Sequence, residues 1–143
     1  MRLIQQFESN SIEETEKFAH ELAARFQAND IVLLEGELGS GKTFLVKALC
    51  KIWQTEDEAV SPSFAIVHQY RGALPVNHLD LYRIHDEREL DQLGWEELLD
   101  CGAVTFIEWP QILEAHLENF YKIRIELQGE KRIFSLLSFN EKI

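Results

Sequence analysis

The chain has 143 residues, 45% of them hydrophobic, and a net charge of −11 from 14 Lys and Arg against 25 Asp and Glu. This length and apolar content fit one domain whose core is shared by a sheet and its helices. Because affinity for nucleic-acid phosphates depends on cationic groups, tight autonomous binding to DNA or RNA is not expected. Membrane association is not expected either, since no run approaches the roughly 18 apolar residues of a span and the N-terminus lacks a signal-peptide core. We therefore predict a cytoplasmic protein that meets nucleic acid only indirectly.

The first predicted element is an amphipathic helix from Ser11 to about Phe26. The Ser11 side chain can accept hydrogen bonds from first-turn amides, and two glutamates that follow favour the positive end of the helix. The residues expected on its buried side are Ile12, Thr15, Phe18, Ala19, Leu22 and Phe26. Residues 31–34 then form a continuous apolar run, which is typical of a strand buried on both faces of a parallel sheet.

This strand leads into Gly36-Glu37-Leu38-Gly39-Ser40-Gly41-Lys42-Thr43, which matches the phosphate-binding pattern G-x-x-x-x-G-K-[ST]. In this pattern the glycines let backbone N–H groups point at phosphate oxygens, and the following helix directs its positive end at the same charge. We expect Lys42 to reach the β and γ phosphates and the Thr43 hydroxyl to hold Mg²⁺. A helix from Phe44 to about Trp53 follows, with apolar residues at helical spacing. The sequence therefore predicts a nucleoside triphosphate as the ligand.

A serine-containing turn and a hairpin come next in the chain. Ser61-Pro62-Ser63 precedes a β-like run over 64–70, and a turn at Arg71-Gly72 leads into a second run over 76–82. Two strands this close are expected to pair antiparallel, so the sheet should be mixed. The turn occupies the place where many nucleotide hydrolases carry a hydroxyl that senses the γ-phosphate. Ser63 is thus a candidate for that role, although an ordinary turn is the simpler interpretation.

Residues 85–100 form the most acidic stretch and are predicted to be helical with a break at Gly94. A solvated helical face is the simpler interpretation of this charge. A docking surface for a basic partner is the alternative.

The two cysteines are isolated in the sequence. Cys50 lies on the apolar part of a predicted helix and Cys101 lies beside a glycine. This placement favours buried thiols over a disulfide framework.

The last predicted elements are a buried strand over 103–107, a helix from Pro110 to about His116, and a second hairpin. Alternating apolar and polar residues over 121–128 and a run over 133–139, joined by a turn at 129–130, predict that hairpin. Glu108 follows the buried strand directly, so it should emerge at the carboxyl end of the sheet, where ligands bind in open α/β folds.

Two acids and one aromatic residue are candidates to complete the nucleotide chemistry. Hydrolysis needs a carboxylate near Mg²⁺ and a group that orients the attacking water. Glu108 and Asp80 are both placed for such roles, with ordinary capping or salt-bridged acids as the alternative. Trp109 either covers the site or packs under the sheet, and large aromatics more often do the latter.

Taken together and in order, four motifs resemble the TsaE family. They are the phosphate loop, Ser61-Pro62-Ser63-Phe64, His78-Leu79-Asp80-Leu81-Tyr82-Arg83 and Ile107-Glu108-Trp109-Pro110. The resemblance implies an α/β P-loop NTPase fold with a mixed parallel and antiparallel sheet flanked by helices, as a single domain over residues 1–143. It also implies a weak Mg²⁺-dependent ATPase that acts with TsaB and TsaD. Their shared task is the threonylcarbamoylation of adenosine 37 in tRNAs that read ANN codons.

The resemblance also implies ATP and Mg²⁺ as cofactors and assigns their ligands. The residues that would bind ATP are Ser11, Glu37, Leu38, Gly39, Ser40, Gly41, Lys42, Thr43 and Ser63. Thr43, Glu108 and Asp80 would serve the metal, and Glu108, Asp80 and Lys42 would be catalytic. The family commonly has threonine where Ser63 stands, and this change keeps the hydroxyl.

Two other functions stay open. One is a small-molecule kinase, although such enzymes usually carry an arginine-rich lid, and Arg71, Arg83 and Arg88 are scattered here. The other is a nucleotide-gated binding module in which hydrolysis is incidental. A GTPase is not expected, because the chain has no Asn-Lys-x-Asp motif to read guanine.

Overall fold

The computed structural model describes residues 1–37, 39–55 and 67–140, which form one sheet with helices on both faces. The strands are β1 (Arg2–Ser9), β2 (Ile31–Gly36), β3 (Val67–Tyr70), β4 (Val76–Asp80), β5 (Val104–Glu108), β6 (Asn119–Gln128) and β7 (Lys131–Asn140). The helices are α1 (Ile12–Arg25), α2 (Lys42–Ile52), α3 (Glu87–Gln92), α4 (Trp95–Leu98) and α5 (Gln111–Glu114). Leu38 and the predicted turn over 61–64 lie outside the described residues.

The seven strands follow the order β1-β7-β6-β2-β5-β4-β3. The central strands β6, β2, β5 and β4 run parallel, whereas β3 pairs antiparallel with β4, and β7 pairs antiparallel with both β6 and β1. The predicted mixed sheet and both predicted hairpins are therefore confirmed. Because β2, β4 and β5 are parallel, their carboxyl ends meet at the same edge of the sheet.

Each face of the sheet has its own apolar core. The core under α1 and α2 contains Phe18, Leu22, Leu45, Leu49 and Phe106 among others. The core under α3, α4 and α5 contains Leu33, Leu79, Leu90, Ile107 and Leu113 among others. Successive residues of β2 and β5 alternate between these cores, as the period of a strand requires. None of the described helices has the length and apolarity needed to cross a membrane.

Three details of the predicted elements need correction. Strand β1 is absent from the predictions, because its sequence carries several polar residues and only its last residue is buried. Ile12 was expected in the core, but it is the first residue of α1 and is 59% exposed. The last predicted helix is shorter than expected and spans Gln111–Glu114. The acidic helical stretch and its break are confirmed, with Gly94 in the left-handed conformation between α3 and α4.

The two cysteines differ in exposure, contrary to the prediction that both are buried. Cys50 is buried in α2, whereas Cys101 is exposed after α4, and neither forms a disulfide. Desolvation by burial raises the pKa of the Cys50 thiol to about 11, against a smaller opposing effect of its hydrogen bond with Thr55. Because the thiolate is the reactive form, the raised pKa should make Cys50 unreactive at neutral pH, and its burial should limit access of reagents.

Thiol labelling should therefore distinguish the two cysteines. With a disulfide reagent at pH 8, we expect one thiol per chain to react rapidly in the folded protein and two in denaturant. Cys101→Ser should remove the rapid phase, and Cys50→Ser should leave it unchanged. Rapid labelling of both thiols in the folded protein would contradict the burial of Cys50.

Candidate functional site

The phosphate loop connects β2 to α2 across the carboxyl edge of the sheet. Gly39 and Gly41 have φ angles of 80° and 110°, which glycine adopts without steric strain. Gly41 is the N-cap of α2 and supplies no side-chain hydrogen bond to the first turn. The first-turn amides of this helix therefore lack a side-chain acceptor at the N-cap, which suits them to an anionic ligand.

This loop forms one wall of a cavity of about 430 Å³. The cavity is lined by Ile12, Thr15, Gly39, Gly41, Lys42, Thr43, Phe44, Asp80, Glu108, Trp109, Arg132 and Phe134. Six residues of the predicted site are among them, namely Gly39, Gly41, Lys42, Thr43, Asp80 and Glu108. The fold thus brings the phosphate loop and both candidate carboxylates to one place.

The side chain of Lys42, which lines this cavity, contacts two neighbouring residues. Its side chain is largely buried, at 6% exposure for the residue. The Nζ atom donates to the Gly36 carbonyl oxygen at 2.8 Å and lies 4.6 Å from the centroid of a Trp109 ring. A buried ammonium requires such partners, and an aromatic face is one of them. Trp109 therefore covers the site, and the commoner alternative, packing under the sheet, is wrong here.

The two carboxylates lie side by side at the ends of neighbouring strands. Asp80 and Glu108 are register partners in β4 and β5, and the Leu81 amide donates to the Glu108 carbonyl oxygen at 3.0 Å. Asp80 Oδ1 accepts from the Tyr82 amide at 3.0 Å. Glu108 Oε2 lies 2.6 Å from His78 Nε2, and both of these residues are buried.

Ser11 has a structural role that the sequence predicted. Its hydroxyl accepts a hydrogen bond from the Glu14 amide at 3.1 Å, so it caps α1. Ser11 does not line the cavity, but the next residue, Ile12, does. A role for Ser11 near a nucleotide base stays a prediction.

The other predicted ligands are placed differently. Glu37 lines an adjacent cavity of about 580 Å³, which shares Lys42 and Trp109 with the first. Ser40 is fully buried, and its hydroxyl has no hydrogen-bond partner among the described residues. Leu38 and Ser63 lie outside the residues that the structure describes, so their roles stay predictions.

Arg132 is a site residue that the sequence did not indicate. It lies in β7, lines the cavity, and donates from Nε to the Ser40 carbonyl oxygen at 2.9 Å. This bond ties the C-terminal hairpin to the phosphate loop across 92 positions of sequence. The alternation of apolar and polar residues in β7 predicts a strand, but it does not predict which segments lie next to that strand. No local signal therefore indicated the contact of Arg132 with Ser40. His78 was likewise not singled out.

Comparison with known proteins identifies the family. The family model described as "Threonylcarbamoyl adenosine biosynthesis protein TsaE" matches residues 9–134, a range that contains every residue lining the 430 Å³ cavity. The chain belongs to the TsaE family.

Curated TsaE proteins and one solved structure resemble this chain along most of its length. The tRNA threonylcarbamoyladenosine biosynthesis protein TsaE of Rickettsia bellii is 41% identical over 132 residues, or 89% of this chain and 90% of that protein. The TsaE protein of Rickettsia conorii is 38% identical over 134 residues, or 90% of this chain and 75% of that protein. The crystal structure of Bacillus subtilis YdiB has a TM-score of 0.79 at 25% identity, and the match covers 99% of this chain and 90% of that chain. The predicted α/β fold is therefore confirmed.

The polar groups of this TsaE site fit a nucleotide with Mg²⁺. The cavity offers the carboxylates of Asp80 and Glu108 and the hydroxyl of Thr43, and Mg²⁺ prefers oxygen ligands. Within the described ranges, no group of three or more His, Cys, Asp and Glu side chains has the arrangement of a metal site. A magnesium ion here would thus depend on further oxygens, such as those of phosphates or water.

Gly36 is the first glycine of the phosphate loop, and its replacement by alanine should disrupt the loop. An added Cβ would lie 2.7 Å from Ser40 Oγ and 3.0 Å from the Ile125 carbonyl oxygen. We expect Gly36→Ala to lower the free energy of unfolding by about 1–3 kcal/mol and to weaken ATP binding. Denaturant unfolding and titration with a fluorescent ATP analogue measure the two effects.

A double variant separates the two contacts of that Cβ. Ser40→Ala removes the hydroxyl, so Gly36→Ala with Ser40→Ala should recover part of the lost stability but not all of it, since the Ile125 carbonyl remains. Ser40→Ala alone is the control. Wild-type stability and ATP binding in Gly36→Ala would contradict the close packing of the loop.

Proposed function

We propose that this protein binds ATP and Mg²⁺ and hydrolyses ATP in support of tRNA threonylcarbamoyladenosine biosynthesis. The observation that carries the proposal is the cavity in which the phosphate loop meets Asp80 and Glu108. Membership of the TsaE family supports the tRNA pathway. The protein acts in the cytoplasm with TsaB and TsaD, and the modified base is adenosine 37 of tRNAs reading ANN codons. The net charge of −11 favours contact with tRNA through these partners.

The polar groups around the cavity have different roles in this proposal. The α2 amides and the Lys42 ammonium bind the phosphates, and Arg132 keeps the phosphate loop in shape through the Ser40 carbonyl. The Thr43 hydroxyl and the Glu108 and Asp80 carboxylates would hold Mg²⁺ and orient the attacking water. The metal, when bound, supplies positive charge that offsets the charge of the reacting phosphates.

Hydrolysis by the protein alone is expected to be weak. Efficient phosphoryl transfer often uses an arginine that contacts the transferring phosphate. Arg132 is the arginine among the residues lining the 430 Å³ cavity, and its Nε is already bound to the loop carbonyl. We therefore propose that a partner protein adds stabilisation of the transferring phosphate.

Partner-dependent turnover is the test. Purified protein with TsaB, TsaD and tRNA should hydrolyse ATP faster than the protein alone, and its omission should stop repeated rounds of tRNA modification. Phosphate should appear in solution in step with ATP loss. Absence of stimulation by the partners would contradict the proposal, and transfer of the phosphate to a metabolite would favour a kinase instead.

A further inference from the structure

We propose that His78 is a positioning residue that fixes the carboxylate of Glu108 for ATP hydrolysis. This inference rests on the proposed function of the site. His78 itself does not line the cavity, so it acts through the glutamate. The role follows from the burial of His78, its contact with Glu108 and its place in β4.

The fold places His78 beside the glutamate for a simple geometric reason. Residues two apart in a strand project from the same face, so His78 and Asp80 share a face of β4. Their register partners in the parallel neighbour β5 are Phe106 and Glu108. The Glu108 side chain is thus within reach of both, and its Oε2 lies 2.6 Å from His78 Nε2.

The contact constrains the carboxylate strongly. His78 has no exposed surface and Glu108 is 6% exposed, so water has little access to the pair. In such surroundings a hydrogen bond to a charged group is stronger than in water, and its absence costs more. Among the described residues, Glu108 Oε1 takes no hydrogen bond. His78 therefore occupies one oxygen of this carboxylate.

The polar atoms of the ring define its tautomer. An ionised carboxylate only accepts hydrogen bonds, so Nε2 of His78 carries the hydrogen that points at Glu108. His78 Nδ1 is buried and has no partner among the described residues. The hydrogen on Nε2 is therefore the one that positions the carboxylate of Glu108.

Fixing one carboxylate matters because catalysis depends on precise placement. A glutamate side chain has three rotatable bonds, so without a fixed partner its carboxylate samples several positions. Groups that orient a catalytic side chain or a metal ligand typically change activity by about 10- to 100-fold when removed. His78 supplies such an orienting bond to Glu108.

Two substitutions of His78 test whether the donor is what matters. His78→Leu removes the N–H and should lower kcat by about 10- to 100-fold, with ATP affinity much less affected. His78→Gln places an amide N–H near the position of Nε2 and should restore most of the activity. His68→Leu is the matched control, because His68 is the cross-strand partner of His78 in β3 and does not contact Glu108. Equal losses in His78→Leu and His68→Leu would overturn the proposal.

A double variant tests whether His78 acts through Glu108. If it does, His78→Leu should cause no further loss of turnover once Glu108→Gln is present. An additional loss of the same size as in the wild-type background would show that His78 acts independently and would overturn the proposal.

A spectroscopic measurement separates this proposal from the proposed function. Nitrogen-15 NMR of the histidine ring should show a hydrogen on Nε2 in the wild-type protein, and the Nε2 signal should shift in Glu108→Gln. A ring signal unaffected by Glu108→Gln would overturn the pairing. If the wild-type protein failed to hydrolyse ATP with its partners, the proposed function would fail, while this measurement would still decide whether the pair forms. The NMR measurement needs only the wild-type protein and Glu108→Gln, so it tests the pairing even if His78→Leu does not fold.

Discussion

Replacing Lys42 with alanine is expected to abolish measurable ATP turnover and to weaken ATP binding by about 10- to 100-fold. The ammonium is the positively charged group of the phosphate loop, and a hydrogen bond to a charged group contributes about 1.5–3 kcal/mol. Its present partners are the Gly36 carbonyl oxygen and the Trp109 ring, both of which bound phosphates would supplement. Titration with a fluorescent ATP analogue and a phosphate-release assay measure the two effects.

The control for this substitution lies on the same helix. Lys47 is exposed in α2 and lines neither of the two cavities that contain Lys42. Lys47→Ala changes the net charge by the same amount, so it should leave ATP binding and turnover close to wild type. Thermal unfolding of both variants checks that the fold persists. Equal ATP affinity in Lys42→Ala and wild type would contradict a nucleotide site at this loop.

The predictable parts of the site are residues that are adjacent in sequence and residues that directly follow a predicted strand. The phosphate loop has fixed spacing, so Lys42 and Thr43 could be assigned from the sequence directly. Asp80 and Glu108 lie far apart in the chain, yet each ends a strand. The sequence placed Glu108 at the carboxyl edge because it follows a predicted strand directly, whereas Asp80 lay within the predicted run over 76–82. The structure ends β4 at Asp80 and makes it the register partner of Glu108.

The parts that were missed depend on pairings between distant segments. Arg132 reaches Ser40 only because β7 pairs with β6, which in turn pairs with β2. The contact of His78 with Glu108 is diagonal across two strands, so it depends on exact register as well as strand order. A single sequence carries no local signal for either contact.

Exposure was predicted less well at the ends of elements than in their middles. Helical spacing placed Phe18 and Leu22 correctly in the core, since both lie in the middle of α1. The same spacing placed Ile12 there as well, but Ile12 is the first residue of α1 and its side chain is exposed. Cys101 is exposed for a related reason, because it lies in the connection between α4 and β5.

Glu108→Gln is expected to lower partner-stimulated ATP turnover by about 100- to 1,000-fold while ATP binding and the fold persist. Glutamine has nearly the same shape, and its amide oxygen can still accept the hydrogen bond of His78. What is lost is the negative charge, which the proposed metal and water both require. Glu118→Gln is the matched control, because it removes one charge at an exposed position outside both cavities.

The same variant separates an ATPase from a nucleotide-gated binding module. If hydrolysis drives the modification cycle, Glu108→Gln should still bind TsaB and TsaD in the presence of ATP but should not sustain repeated tRNA modification. If nucleotide binding alone is sufficient, turnover of ATP will fall and modification will continue at the wild-type rate. Co-purification with and without ATP, together with modification measured over several rounds, distinguishes the two. Continued modification without hydrolysis would leave the phosphate loop as a nucleotide sensor, with Glu108 needed for ATP hydrolysis but not for tRNA modification.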